Sequence, residues 1–276
     1  MNNSGVLNEC GKMMRLMIQW SVENDCKKER MSAMKITYIG HSGFSVELEE
    51  AILIFDYYQG TIPEFDGRKP IYVFVSHKHH DHFNQEIFAL SDQYPDVTYI
   101  LSSDTRMNEK YMERRGIPAA AREHIIYIGK NAEQVLQGPG DTRLTVETLA
   151  STDEGVAFLV GMGDRCIYHA GDLNWWSWEG ESDDDERRME ENFKREMKKL
   201  EGRRFDAAFL PLDPRQEDRF SWGFDVFMRT ADAGKAIPMH FWGDYSVIPR
   251  LLSLDCSKPY RDRVVEITRE GQVFEF

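Results

Sequence analysis

The sequence predicts a mixed α/β fold rich in strands, and three observations point to it. From Met34 onward, short runs of β-branched and aromatic residues recur between turn-forming residues. Stretches with helical period fall between them, spaced to cover sheet faces. Three of the strand-like runs end directly in histidine or aspartate, as expected where strand ends converge on a site.

In chain order, "KITYIG", "GFSVELE" and "AILIFD" read as early strands joined by tight turns, and "IYVFVS" as a buried strand. "NQEIFALSDQY" follows with a helical pattern. Further strands are expected at "VTYILSS", "HIIYIG", "TRLTVETLA", "GVAFLVGM" and "RCIYHAG", with "GMGD" as the hairpin turn between the last two. "FDAAFLPLD" and "KAIPMHF" flank a helical "WGFDVFMRTADA", and "VVEITREGQVFEF" closes the chain as an expected hairpin. Between Trp178 and Phe205, Met189, Phe193, Met197 and Leu200 form one apolar stripe on an otherwise charged helix, and Ser182 with Asp185 resembles a capping box at its start.

Residues 1–33 carry no clear period and join the rest through "KKERMSAM". The expected organisation is an N-terminal extension over 1–33, loosely held or forming a short helix around "MMRLMIQW", followed by one domain over 34–276.

At 276 residues the chain buries a core without staples. Its net charge of −13 repels polyanions, and "KREMKK" and "EGRR" sit in acidic surroundings, so neither nucleic acid nor a membrane is an expected partner. Cys10, Cys26, Cys166 and Cys256 are too scattered for a zinc-binding pair or a disulfide scaffold and fit reduced thiols. No apolar run is long enough to span a bilayer, and the N-terminal stretch lacks the secretory pattern. A cytoplasmic location is expected.

The densest chemistry is "SHKHHDHFN", with four histidines and an aspartate between His77 and His82. Imidazoles one residue apart on extended or turning backbone can face one point, and a metal needs such convergence of deprotonated ligands. A histidine-rich surface loop, or Asp81 capping a helix, is the alternative. His77, His79, Asp81 and His82 are therefore candidate metal ligands, with His80 pointing away. "CIYHAGDLN" places Asp172 just past an apolar strand, and "KAIPMHFWGD" places His240 just past another.

These residues carry a resemblance. "HKHHDH" matches the HxHxDH signature of the metallo-β-lactamase superfamily, "GDLN" its later aspartate, and "PMHFWGD" its last histidine. "MKITYIGHSGF" is similar to the opening of the branch that includes ascorbate-phosphate lactonases. The resemblance implies a four-layer αββα sandwich with a metal pair between the sheet edges. One metal would take His77, His79 and a mid-chain histidine, the other Asp81, His82 and His240, with Asp172 bridging.

Where the family carries the mid-chain histidine, this chain reads "LASTDEGVAFLV", with Ser151, Thr152 and Asp153. Asp153 ligates there, a water fills the place, His41 from "GHSGF" swings in, or a single metal is held. Di-iron members that reduce oxygen or nitric oxide carry glutamate where His79 stands, so histidine favours zinc and hydrolysis, with manganese or iron as the alternatives.

Zinc lowers the pKa of a bound water to about 7 and polarises the substrate oxygen. Asp81 and His41 are the candidate catalytic side chains: Asp81 orients the nucleophilic water or, with one metal, serves as general base. Trp175, Trp176 and Trp242, which follow ligand positions, are candidates to line the pocket and stack on substrate. Asp56 is expected to support the site without ligating, His169 to be structural and His124 to lie at the surface. Lys78, Arg215 and Arg219 are the few cations near the motifs. The expected function is metal-dependent hydrolysis of a small ester, lactone or phosphoester. A catalytically degenerate metal-binding or ligand-sensing protein and a nucleic-acid phosphodiesterase are the alternatives, the latter disfavoured by charge.

Overall fold

The computed structural model describes residues 33–276. Apart from Ala33, the expected N-terminal extension and its short helix lie outside the described residues.

Thirteen strands appear among those residues: β1 (Lys35–Gly40), β2 (Gly43–Glu47), β3 (Ile52–Phe55), β4 (Ile71–Val75), β5 (Val97–Ser102), β6 (Ile125–Ile128), β7 (Glu133–Gln137), β8 (Arg143–Ala150), β9 (Val156–Met162), β10 (Arg165–His169), β11 (Arg204–Pro211), β12 (Asp232–Met239) and β13 (Val273–Glu275). They form two sheets, ordered β13-β1-β2-β3-β4-β5-β6 and β12-β11-β10-β9-β8-β7. Within the first, β3 to β6 run parallel; within the second, β10 to β12 do. The remaining pairings are antiparallel, including the predicted β9–β10 hairpin, where Met162 pairs with Arg165 across a turn with Gly163 at φ 60°.

The sheets pack face to face through aromatic side chains. Phe44 on β2 meets Phe209 on β11 with ring centroids 4.5 Å apart, and Phe74 on β4 meets Phe158 on β9 at 5.3 Å. Alternate residues of β3 and β4 face the opposite way: Ile52, Ile54, Val73 and Val75 are buried with Ile87 and Phe88 of the 3-10 segment Gln85–Asp92, and with Met112 of helix α1 (Glu109–Arg114) and Ala121 of helix α2 (Ala119–Glu123). Burial on both faces is why these strands read as continuous apolar runs. On the outer side of the second sheet, Phe193 and Met197 of helix α3 (Asp183–Lys198) are buried, and Phe227 of helix α4 (Trp222–Thr230) stacks on Tyr168 of β10 at 4.8 Å. The result is the αββα order of layers. The Ser182 hydroxyl accepts from the Asp185 amide at the start of α3, as the capping pattern predicts.

One expectation is corrected. The closing "VVEITREGQVFEF" is not a hairpin: Val264 bridges Ala236 of β12 in one sheet, while β13 pairs with β1 in the other. Each arm adds to a different sheet edge, and pairing an open edge outweighs pairing the arms together. The expected helix "NQEIFALSDQY" is realised as 3-10 turns, with Asn84 accepting from the Glu86 amide at its start. Strand β7 and the short helices α1, α2 and α5 (Val247–Ser253) carry too little periodic signal to be read from sequence.

Candidate metal centre

Every chemistry-bearing side chain sits at a strand end or in a turn beside one. Asp56 follows β3, the segment His77–His82 follows β4, Asp172 follows β10, Asp213 follows β11 and His240 follows β12. All five strands belong to the parallel parts of the two sheets, so their carboxyl ends open on one side. His41 lies in the β1–β2 turn and Asp153 in the β8–β9 turn.

The turns are held by backbone that few residues adopt. Among the described residues, six non-glycine positions have positive φ, and four of them are here: His41 (53°), Asp56 (41°), His240 (62°) and Trp242 (52°). Such strain persists where the surroundings over-determine it, and it concentrates at functional sites. Gly155 and Gly171 let two turns close on the β4 end. A Cβ at Gly155 would lie 1.9 Å from the Ser76 carbonyl oxygen, and one at Gly171 2.6 Å from Ser76 Cβ.

Three overlapping groups of ligand atoms result, each within 4.8 Å: His41, Asp81, His82 and His240; His77, His82 and Asp172; and His79, Asp153 and Asp172. His82 Nε2 is 3.1 Å from Asp172 Oδ1, His240 Nε2 3.5 Å from the same oxygen, and His77 Nε2 3.4 Å from Asp172 Oδ2. His41 Nε2 lies 3.4 Å from Asp81 Oδ2, and His79 Nδ1 3.7 Å from Asp153 Oδ2. The structure thus brings all six sequence-predicted ligands to one place, together with His41 and Asp153, the two side chains the sequence offered for the missing histidine position. His80 is largely exposed beside them.

The side chains behind them are specific. Asp56 is fully buried: its carboxylate accepts from the Ser76 amide and hydroxyl at 2.7 and 2.6 Å and lies 2.7 Å from His82 Nδ1. The Ser76 hydroxyl is in turn 2.9 Å from His77 Nδ1. Asp213, which sequence reasoning missed, lies 3.0 Å from His240 Nδ1 and is gripped by Arg215. Its only sequence signal was its position after an apolar strand. A carboxylate on the far nitrogen fixes an imidazole's tautomer and orientation for metal binding. His169 is buried, its Nε2 3.0 Å from the Ser42 carbonyl and its ring stacked on Phe55, and His124 is exposed.

The near nitrogens have no such partners. His41 Nε2, His77 Nε2, His82 Nε2 and Asp172 Oδ1 are buried without a hydrogen bond of regular geometry. Buried polar atoms are otherwise almost always paired, so convergent orphans of this kind fit a divalent cation. Burial lowers the His41 and His77 imidazoles to about 4, leaving both neutral and able to ligate at pH 7. Burial opposes ionisation of Asp172, yet the charges of His82 and His240 hold its carboxyl well below the usual range. Burial likewise opposes the charge on His82, but Asp172 and then Asp56 raise it well above its ordinary value. Asp81 stays low despite burial through the nearby His41 imidazole and the charge of His82. Burial, and then Asp172, push the Asp153 carboxyl up.

A cleft of about 490 Å³ opens over the cluster, walled by Trp176, Trp178, Trp242 and Arg215. Trp176 donates from Nε1 to the Asp172 carbonyl at 2.9 Å and stacks parallel to Trp178 at 5.8 Å. Trp242 packs on His41 at 4.4 Å and is 42% exposed. Trp175 is corrected: it turns away from this cleft and packs against Trp222 at 5.1 Å, where a separate cleft of about 810 Å³ holds no imidazole. Neighbouring residues of an extended segment point to opposite sides, so Trp176 and Trp178 share the wall and Trp175 does not. Among the other cations near the motifs, Lys78 pairs with Glu154 and Arg219 with Glu186.

Residues 35–177 match the family described as a beta-lactamase superfamily domain. A UPF0173 metal-dependent hydrolase of Desulforamulus reducens is 29% identical over 153 residues, covering 50% of this chain and 62% of that protein, just under two thirds of its length. Another, from Nanoarchaeum equitans, is 27% identical over 226 residues, covering 75% and 84%. Among solved structures, the metallo-beta-lactamase fold protein YhfI of Bacillus subtilis superposes with TM-score 0.56 at 16% identity, covering 89% of this chain and all of that one. Igni18, a metallo hydrolase of Ignicoccus hospitalis, gives 0.55 at 16% identity over 89% and 99%. These two likenesses show the fold. Among the described residues, no helix is long and apolar enough to cross a membrane.

Proposed function

The chain belongs to the beta-lactamase superfamily, and we propose that it is a metal-dependent hydrolase of a small ester, lactone or phosphoester, with zinc as its metal. The observation that carries this reading is the set of buried, unpartnered atoms on His41, His77, His82 and Asp172 converging beneath an open cleft. His41, Asp81, His82 and His240 would hold one ion, and His77, His79 and Asp153 a second, with Asp172 between them. Mixed imidazole and carboxylate donors suit zinc. Bound there, zinc supplies a Lewis acid for the substrate oxygen and lowers the pKa of a water toward neutrality.

The chain's own residues do the rest. Asp56 and Asp213 hold the His82 and His240 rings in the ligating tautomer. Asp81, kept ionised by His41 and His82, is suited to orienting a water by accepting its hydrogen bond rather than to carrying a proton at neutral pH. Trp176, Trp178 and Trp242 wall the cleft and stack on a flat substrate. The overall charge of −13 and the modest cleft favour a small molecule over nucleic acid, and the free Cys166 and Cys256 support a cytoplasmic place of action.

Elemental analysis of purified protein beside Asp172→Ala, with hydrolysis assayed on lactone and phosphodiester panels, tests the reading. The variant is expected to lose most of its metal and all turnover. Unchanged metal content in the variant removes Asp172 from the site; bound metal with no turnover on any panel favours a ligand-sensing role.

A further inference from the structure

We infer that Arg215 is a substrate-binding residue, and that the substrate carries an anionic group, carboxylate or phosphate, beside the bond that is cut. This rests on the hydrolase reading above and narrows its substrate class.

Among the described residues, Arg215 is the one lysine or arginine that lines the cleft. Its guanidinium lies 4.7 Å from the Trp242 ring centroid and 5.8 Å from that of Trp178, so it sits between the two tryptophans. It is also locked from behind. Nε and Nη2 donate to both oxygens of Asp213, whose side chain also accepts from the Arg215 amide at the start of the 3-10 segment Pro214–Arg219. Among the described residues Nη1 has no hydrogen-bond partner, and the side chain remains half exposed. A planar guanidinium with two donors committed and one nitrogen free presents a fixed donor edge, with little rotamer freedom left to lose on binding.

The surroundings suit an anion held by a flat body. Asp213 shares its charge between Arg215 and His240, so it does not cancel the guanidinium alone. The carboxylates deeper in the cleft, Asp81 and Asp172, face the imidazoles and would be neutralised by metal. Trp178 and Trp242 flank the guanidinium and leave its open side free to make a charge-assisted hydrogen bond. A ring seated against Trp242, with its reacting group over the histidines, puts a substituent at the Arg215 edge.

The probes are a matched pair of flat rings, 4-methoxybenzoate and 4-methoxybenzamide, titrated into metal-loaded protein by tryptophan fluorescence. Wild type is expected to bind the benzoate at least tenfold more tightly. Arg215→Gln is expected to collapse that ratio toward one, and Arg215→Lys to restore part of it, with metal content and melting temperature of both variants measured alongside to expose any damage passed through Asp213. An equal affinity of wild type for the two probes, or an undiminished ratio in Arg215→Gln, overturns the inference, the second outcome meaning that the carboxylate sits on the metal. Hydrolysis of 4-acetoxybenzoate against its methyl ester is read in parallel. If neither ester is cut while the binding ratio depends on Arg215, the hydrolase reading fails and the anion site stands.

Discussion

Asp56 Oδ2 lies 2.7 Å from His82 Nδ1, and neither side chain is exposed to solvent. The carboxylate also accepts from both the amide and the hydroxyl of Ser76, so one buried anion orders the β4 end, where four of the chain's eight histidines stand. Asp56→Ala therefore leaves several donors unpaired and should destabilise the protein by about 3 kcal/mol. Metal affinity should fall roughly 10- to 100-fold. Thermal denaturation and competition with a chelating indicator measure the two effects; an unchanged affinity would detach Asp56 from the metal centre.

Gly155 and Gly171 are at positive φ, 68° and 51°, and both press on Ser76. Alanine at either position meets Ser76 atoms well inside contact distance and should cost about 3 kcal/mol or more, through collision and backbone strain together. Gly67→Ala, whose new Cβ would stand 4.0 Å from Tyr94, is the control and should melt within a few degrees of wild type. Comparable melting of all three variants would contradict the tight approach of these turns.

His79 and Asp153 differ from the other ligand candidates in exposure, their side chains being 40% and 48% accessible. An ion at that more open place would be held more weakly than one among the buried imidazoles. His79→Ala and Asp153→Ala should each remove up to one equivalent of metal while leaving the ion among His41, Asp81, His82 and His240 in place. Mass spectrometry of the intact metal-loaded protein counts the ions; a variant that loses all metal would show that the groups do not act separately.

Metal-free protein should have a stability maximum near pH 6.5. Burial puts the folded-state values of His41 and His77 near 4, below the ordinary 6.5, so the unfolded chain binds more protons as pH falls from 6.5 toward 4 and stability is lost over that range. His82 acts in the opposite sense. Raised by Asp172 and Asp56, it retains a proton that the unfolded chain releases above 6.5, so its contribution declines as pH climbs past that point. Melting temperatures of chelator-treated protein across pH 4 to 9 should trace a dome, and a curve rising steadily through pH 8 would refute the charged state assigned to His82.

The strands, their α/β alternation and the residues at their ends were legible because each is a local property. A buried parallel strand writes itself as an apolar run, and a histidine or aspartate placed after it is visible in the next few letters. The β4 end, Asp172 and His240 were readable in that way. Trp175 was misjudged because which side of an extended segment faces the cleft depends on packing, and the last segment was misjudged because two sheet edges compete for its arms.

The sequence by itself determined that imidazoles and carboxylates would stand at the ends of apolar strands, and hence the kind of chemistry this protein is built for. Only the tertiary structure decided which of them meet. His41 reaches Asp81 across 40 positions of chain, Asp153 reaches His79 across 74, and Asp213 ties His240 to Arg215. Those pairings depend on sheet order, register and turns that only the assembled sandwich can hold. A ligand set is a property of distances between strand ends, and sequence separation carries almost no information about them.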